Sequence, residues 1–62
     1  MKKGEDIIVI IDGKIKGVEV IAMLADGRVE TSLKTYDGDN LRVERHKAFT
    51  ASEWDKVKGE FL

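Results

Sequence analysis

The sequence predicts a small, mainly β (α+β) fold, in which a four-stranded antiparallel meander is followed by one C-terminal helix. Asp-Gly pairs occur at positions 12–13, 26–27 and 37–38, between apolar or alternating runs. Such pairs are the strongest short-range signal for β-hairpins, because both residues tolerate the positive φ angles of tight turns. After residue 50 the apolar spacing changes from two residues to three or four, which is the helical period. All 62 residues are predicted to form a single domain, because a chain of this length holds at most one hydrophobic core.

The first two predicted strands cover about residues 5–11 and 15–25. Residues 7–11 are β-branched throughout, and branched side chains favour a strand over a helix. Gly17 lies early in the second strand, where a glycine is typical of a bulge or a bend.

The third and fourth predicted strands cover about residues 29–36 and 41–49. The third alternates with a period of two, which is typical of a half-buried strand. In the fourth, the face that begins with Leu41 continues with Arg45 and Lys47. Its far end is therefore expected to leave the core or to lie at a sheet edge.

The C-terminal helix is predicted over about residues 51–61. Thr50 and Glu53 have the spacing of a capping box, in which each side chain bonds the backbone N–H of the other residue. Trp54 and Phe61 lie on one apolar stripe of this helix. They are expected to anchor the helix, which is too short to be stable without packing.

Both faces of the first predicted hairpin are apolar. Alternation places Ile8 and Ile10 on one face of the first strand, opposite its remaining apolar residues, and it gives Ile21 and Met23 a common face in the second strand. One short helix covers only one face of a sheet. Two arrangements remain open: the sheet curls into a small SH3-like barrel, or it stays open and its second face is buried by a partner protein or a second copy.

We therefore predict a non-enzymatic binding module that acts through protein–protein contact, with a homodimer as one form of that contact. The predicted interface consists of Ile8, Ile10, Ile21 and Met23, with Tyr36 at its margin. Contiguous exposed apolar patches are uncommon on monomers and usually mark interfaces. Chains of this size and simplicity are common among small phage and mobile-element proteins.

The alternative hypothesis is a weak nucleic-acid-binding small β-barrel that uses Lys34, Arg42, Arg45 and Lys47. The last three belong to the one local basic cluster, on the predicted fourth strand, and Lys34 lies on the neighbouring strand. The formal net charge is −1, from 11 Lys and Arg residues against 12 Asp and Glu residues. A non-specific polyanion binder normally has a clear basic excess, so the charge favours the protein–protein interpretation.

No catalytic, metal-binding or cofactor-binding residues are predicted. The chain has no cysteine, which excludes disulfides and thiolate zinc sites, and its one histidine, His46, is predicted to lie at the surface. Residues 37–40 resemble the opening of a calcium loop, but Leu41, Arg42 and Ala48 stand where an oxygen ligand, a glycine and a glutamate are needed. A hairpin turn is therefore predicted there instead.

The sequence predicts a cytoplasmic protein without a targeting segment. The longest apolar runs, residues 7–11 and 20–25, are far shorter than the roughly 20 residues that span a bilayer. The basic start of the chain is followed by an apolar stretch too short for a signal peptide.

Overall fold

The computed structural model describes residues 1–62 and confirms the mainly β fold with an antiparallel meander and a C-terminal helix. The sheet is a curled half-barrel with the strand order β4-β3-β2-β1-β5. Its elements are β1 (Asp6–Ile11), β2 (Lys14–Met23), β3 (Val29–Lys34), β4 (Asn40–Val43), β5 (Ala48–Phe49) and α1 (Ala51–Val57), with 3-10 helices at Arg45–Lys47 and Lys58–Glu60. None of these helices is both long and apolar enough to cross a membrane.

The predicted fourth strand, residues 41–49, is two strands in the structure. Val43 pairs with Val29 at one end of the sheet, whereas Ala48 pairs with Val9 at the other end. The chain crosses between these positions in the 3-10 helix Arg45–Lys47, so a continuous strand cannot satisfy both pairings. The predicted helix is also shorter as an α-helix, because its last turn is 3-10.

The hairpin turns lie at the predicted Asp-Gly pairs. At the β1–β2 turn both Asp12 and Gly13 have positive φ, 51° and 75°, and this two-residue turn matches the right-handed twist of the strands. In the β2–β3 turn only Gly27 has positive φ, and its N–H donates to the Leu24 carbonyl. Local sequence therefore fixes where the chain reverses.

The hydrophobic core lies on the inner face of the curled sheet. Its members are small or β-branched, and strands β1, β2, β3, β4 and β5 all contribute to it. They are Ile7, Val9, Val18, Val20, Val29, Val43 and Ala48. Branched side chains pack closely on a pleated surface, which suits a core with so few large residues.

Thr31 is the single buried polar residue, and its hydroxyl group is satisfied. The Oγ1 atom donates to the Leu41 carbonyl at 2.9 Å and accepts from the Leu33 N–H at 3.3 Å. It thereby links β3 to β4 at a place where the regular strand register is interrupted.

A β-bulge at Ile21 changes the faces of β2. Val20 pairs with Thr31 and Ala22 pairs with Glu30, so Ile21 is the extra residue. The prediction of a bulge at Gly17 is wrong, because the pairing of β2 with β1 runs through Gly17 without a shift in register. Beyond the bulge the alternation of side chains is displaced by one position.

Shortening a core side chain by one methylene is expected to destabilise the fold. We expect Ile7→Val to lower the free energy of unfolding by about 1 kcal/mol, because the lost group leaves a void in a packed core. Ile15→Val makes the same change at an exposed site, and we expect a change within about 0.5 kcal/mol. Urea denaturation followed by circular dichroism measures both, and equal effects would contradict the assignment of the core.

Replacing the buried hydroxyl group is expected to be costly. We expect Thr31→Val to lower the free energy of unfolding by about 1–3 kcal/mol, because it removes the partner of the Leu41 carbonyl in a buried setting. Thr35 accepts from the Asp39 N–H in an exposed turn, where water can replace it. Thr35→Val is therefore the matched control, and a Thr31→Val protein as stable as this control would refute the role of the hydroxyl group.

Candidate protein-binding surface

An aromatic cluster covers part of the outer face of the sheet. Phe49 pairs with Ile8 across β5 and β1, and directly paired residues share a face, so Phe49 lies on the outer side. Its ring centroid is 5.9 Å from that of Trp54 and 5.8 Å from that of Phe61. Trp54 and Phe61 stack at 5.7 Å. The helix and the 3-10 turn after it are thereby anchored over β5 and β1 by the two predicted residues.

A capping box sets the direction in which α1 leaves β5. The Thr50 Oγ1 accepts from the Glu53 N–H at 3.1 Å, and the Glu53 Oε1 accepts from the Thr50 N–H at 2.8 Å, which confirms the predicted cap. Arg45 Nη2 donates to both carboxylate oxygens of Glu53, at 3.1 and 3.2 Å. The Thr50 N–H, and after it Arg45, hold the pKa of Glu53 below its usual value near 4.5, against the opposing effect of partial burial.

Beside the aromatic cluster, apolar side chains remain exposed on the outer face. Ile8 and Ile10 are half-buried. Ile15, which pairs with Ile10, is 38% exposed, and Phe61 is 46% exposed. Ile10 and Phe61 line a common depression, which joins the β-hairpin to the C-terminal segment. These four residues, Ile8, Ile10, Ile15 and Phe61, form what we call the outer hydrophobic surface.

A groove of about 450 Å³ adjoins this surface at Ile8. Ile8 and Gly17 form part of its lining, with Ala51 of α1 contributing from the helix and Ser32 from β3. A Cβ atom placed on Gly17 would meet no atom within 4 Å, so the missing side chain leaves real space there. The carboxylate residues Asp6 and Glu19 also line the groove.

The structure separates the five residues of the predicted interface. Ile8 and Ile10 lie together on the outer face, whereas Met23 pairs with Val29 of the inner core and so falls on the inner side of the sheet. Ile21 occupies the bulge and is half-buried. Tyr36 is fully exposed in the turn between β3 and β4. The bulge is the physical reason, since it displaces the alternation on which the grouping with Met23 was based.

Two members of the outer hydrophobic surface were not among the predicted interface residues. Ile15 is placed by the two-residue turn at residues 12–13, which makes it the partner of Ile10. A register counted outward from this turn would have identified it. Phe61 was assigned to packing alone, and nothing in the sequence indicates that almost half of its surface stays exposed.

The basic residues of the alternative hypothesis form two separate groups. Lys34 and Arg42 lie on β3 and β4, where Lys34 Nζ donates to Asn40 Oδ1 at 2.6 Å and Arg42 lies opposite Glu30 in the strand register. Arg45 is held by Glu53 and by the Ala48 carbonyl, and Lys47 lies on the 3-10 helix. Each group therefore has an acidic residue beside it: Glu30 lies opposite Arg42, and Glu53 binds Arg45.

His46 lies at the surface of the 3-10 helix. Its Nε2 is 3.3 Å from the Glu44 Oε2, and both side chains are largely exposed. No group of three or more His, Asp or Glu side chains is close enough together to hold a metal ion.

Comparison with family models, with curated proteins and with solved structures found no match to this chain.

Protonation of Glu53 is expected to weaken the cap. Because its pKa is lowered in the folded state, the carboxylate stabilises the fold above its unfolded pKa near 4.5, and this contribution is lost as the pH falls from there through the folded pKa. Glu53→Gln should therefore be less stable than wild type at neutral pH and should lose less stability on acidification. Unfolding measured at a series of pH values tests this.

Glu60 provides the control for that measurement, because it is an exposed glutamate without an ion-pair partner. Glu60→Gln should keep the wild-type dependence of stability on pH. If Glu53→Gln also keeps it, the contribution of the cap to acid sensitivity is refuted.

Proposed function

We propose that this chain is a non-enzymatic protein-binding module that acts through the outer hydrophobic surface. The observation that supports the proposal is the exposure of Ile15 and Phe61 directly beside the half-buried Ile8 and Ile10. The helix covers one part of this apolar face and leaves the adjoining part open to water. Each Å² of apolar surface that a partner covers there contributes about 25 cal/mol, from which the costs of association are subtracted.

The partner is another protein or a second copy of the chain. Self-association through one patch would produce a two-fold dimer, since the same residues would then meet on both sides. In either case Ile15 is the residue to change, because it is exposed, belongs to no core cluster and pairs with Ile10 of the same surface.

Apolar contact is better supported than nucleic-acid binding. Phosphate binding needs cations that are free to replace counterions. Arg45 already donates to a carboxylate at two distances close to 3 Å, and Arg42 lies across from Glu30. Tyr36 is the exposed aromatic residue nearest in sequence to Lys34, and single rings offer little for stacking of bases.

Changing Ile15 to lysine is expected to weaken partner binding. The charged group would have to be desolvated beneath the partner, which we expect to weaken binding at least about tenfold. Met23 is the matched control, because it lies on the same strand and is 44% exposed against 38% for Ile15, but on the other face. Met23→Lys should bind as wild type does.

The measurement combines quantitative capture with light scattering. Immobilised wild type, Ile15→Lys and Met23→Lys are exposed to an extract of the source organism, and retained proteins are quantified by mass spectrometry. Light scattering over a range of concentrations tests whether the partner is a second copy. The proposal fails if the wild type is monomeric and retains no protein, or if Ile15→Lys and Met23→Lys behave alike.

A further inference from the structure

We propose that the partner adds an extended segment to the open edge of β2, as an extra antiparallel strand that lies beside the groove. This inference rests on the proposed function and states how the partner is held. It depends on three features of β2: which backbone groups are free, what adjoins them and which charges surround them.

The N-terminal half of β2 has a neighbouring strand on only one side. β3 pairs with β2 at Val20, Ala22 and Met23, and with no residue before Val20. At Glu19 the Ser32 hydroxyl of β3 accepts the backbone N–H at 2.9 Å, in place of a backbone hydrogen bond between the two strands. From Lys14 to Val18, β2 pairs with β1 alone.

The register identifies the backbone groups at this open edge. The Val20 N–H donates to the Glu5 carbonyl at 2.9 Å and the Val20 carbonyl accepts from the Gly4 N–H, so Val20 directs its backbone groups towards β1 and the segment before it. Antiparallel pairing alternates, so the same holds for Val18 and Lys16. Ile15 and Gly17 therefore direct their N–H and C=O groups away from β1, towards the side on which no strand lies.

The groove gives such a strand a place for one of its side chains. A residue opposite Gly17 would lie on the same face of the sheet, which is the outer face. Its side chain would enter the open space over Gly17, where a Cβ atom would meet no atom within 4 Å. Ile8, the strand partner of Gly17, and Ala51 of α1 also line this space. A leucine-sized side chain suits this space, and the residue opposite Ile15 would extend the outer hydrophobic surface.

The charges at the edge favour a partner strand of stated composition over a second copy. Lys14 and Lys16 pair with Ile11 and Val9 and so lie on the inner side, where both are exposed. Two β2 edges related by a two-fold axis normal to the sheet would bring these lysines together on one face, which opposes self-pairing. Acidic side chains opposite them, and a basic one beside Glu19, would complement the edge instead.

An acetylated and amidated peptide, Arg-Val-Leu-Glu-Val-Glu, is the probe that these features define. Run antiparallel to β2, it places Arg opposite Glu19, Leu opposite Gly17 and its two Glu residues opposite Lys16 and Lys14. The control peptide, Glu-Val-Leu-Lys-Val-Lys, keeps the apolar alternation and reverses the charges. We expect the control to bind at least about tenfold more weakly.

Amide hydrogen exchange by NMR on the isotope-labelled chain gives the decisive result. In the free chain the N–H groups of Lys16 and Val18 should exchange slowly and those of Ile15 and Gly17 quickly. The first peptide should slow exchange at Ile15 and Gly17. Binding without this protection would overturn strand addition, and so would absence of binding.

Gly17→Pro tests the same edge in the whole chain, because it removes an N–H that β1 does not use. Gly17→Ala, which keeps the N–H, is its reference. We expect the proline variant to bind the first peptide at least about tenfold more weakly than the alanine variant, with the β1–β2 amides of both still protected. Equal binding by the two folded variants would overturn the proposal, and the exchange result on wild type decides it if the proline variant is unfolded.

The failure of strand addition can be told apart from the failure of the proposed function. If Ile15→Lys loses the captured partner while Gly17→Pro keeps it, the outer hydrophobic surface binds a protein without an added strand. If Ile15→Lys keeps the partner, the proposed function itself is wrong.

Discussion

The need to cover both faces of β1 is the constraint on which the rest of the structure depends. Its inner side chains, Ile7 and Val9, are at most 2% exposed, whereas Ile8 and Ile10 on the outer face are half-buried. A chain of this length buries only about 60% of the surface that its unfolded form exposes. It therefore has too few residues to cover both faces of the sheet completely. The C-terminal aromatic cluster covers the part of the outer face nearest β5. The part nearest β2 is left, and it is the candidate binding surface.

The curl that closes the inner core also creates the open edge of β2. To bring β4 over the core, the sheet bends where β2 passes from pairing with β1 to pairing with β3, and the bulge at Ile21 supplies the bend. After Thr31, β3 no longer pairs with β2, and the Ser32 hydroxyl group bridges the two strands at Glu19. The free backbone groups at Ile15 and Gly17 are therefore a consequence of how the core is closed, and no separate loop or insertion is needed to produce them.

Features set by neighbours in sequence could be predicted, and features set by distant pairing could not. The capping box of Thr50 and Glu53 and the turn at residues 12–13 need only a few adjacent residues. The bulge at Ile21 depends on where β3 meets β2, and the break between β4 and β5 depends on Ala48 reaching β1. A shift of one residue in a strand moves every later side chain to the other face, so Met23 was grouped with Ile8 although it lies on the opposite side.

Docking of α1 and formation of the groove are one event, because Ala51 belongs to the groove lining and to the first turn of the helix. The helix is held by the Phe49, Trp54 and Phe61 rings and by its cap, and it contains no buried residue. Such a segment undocks at a lower free energy than the core strands unfold. A partner that fills the groove would bind only the docked form, so at a given partner concentration it would stabilise the helix by an amount that rises with the logarithm of its affinity. Under the proposed function, a change that weakens the cap of α1 enough to populate the undocked form would lower the affinity for the partner without touching a residue of the outer hydrophobic surface.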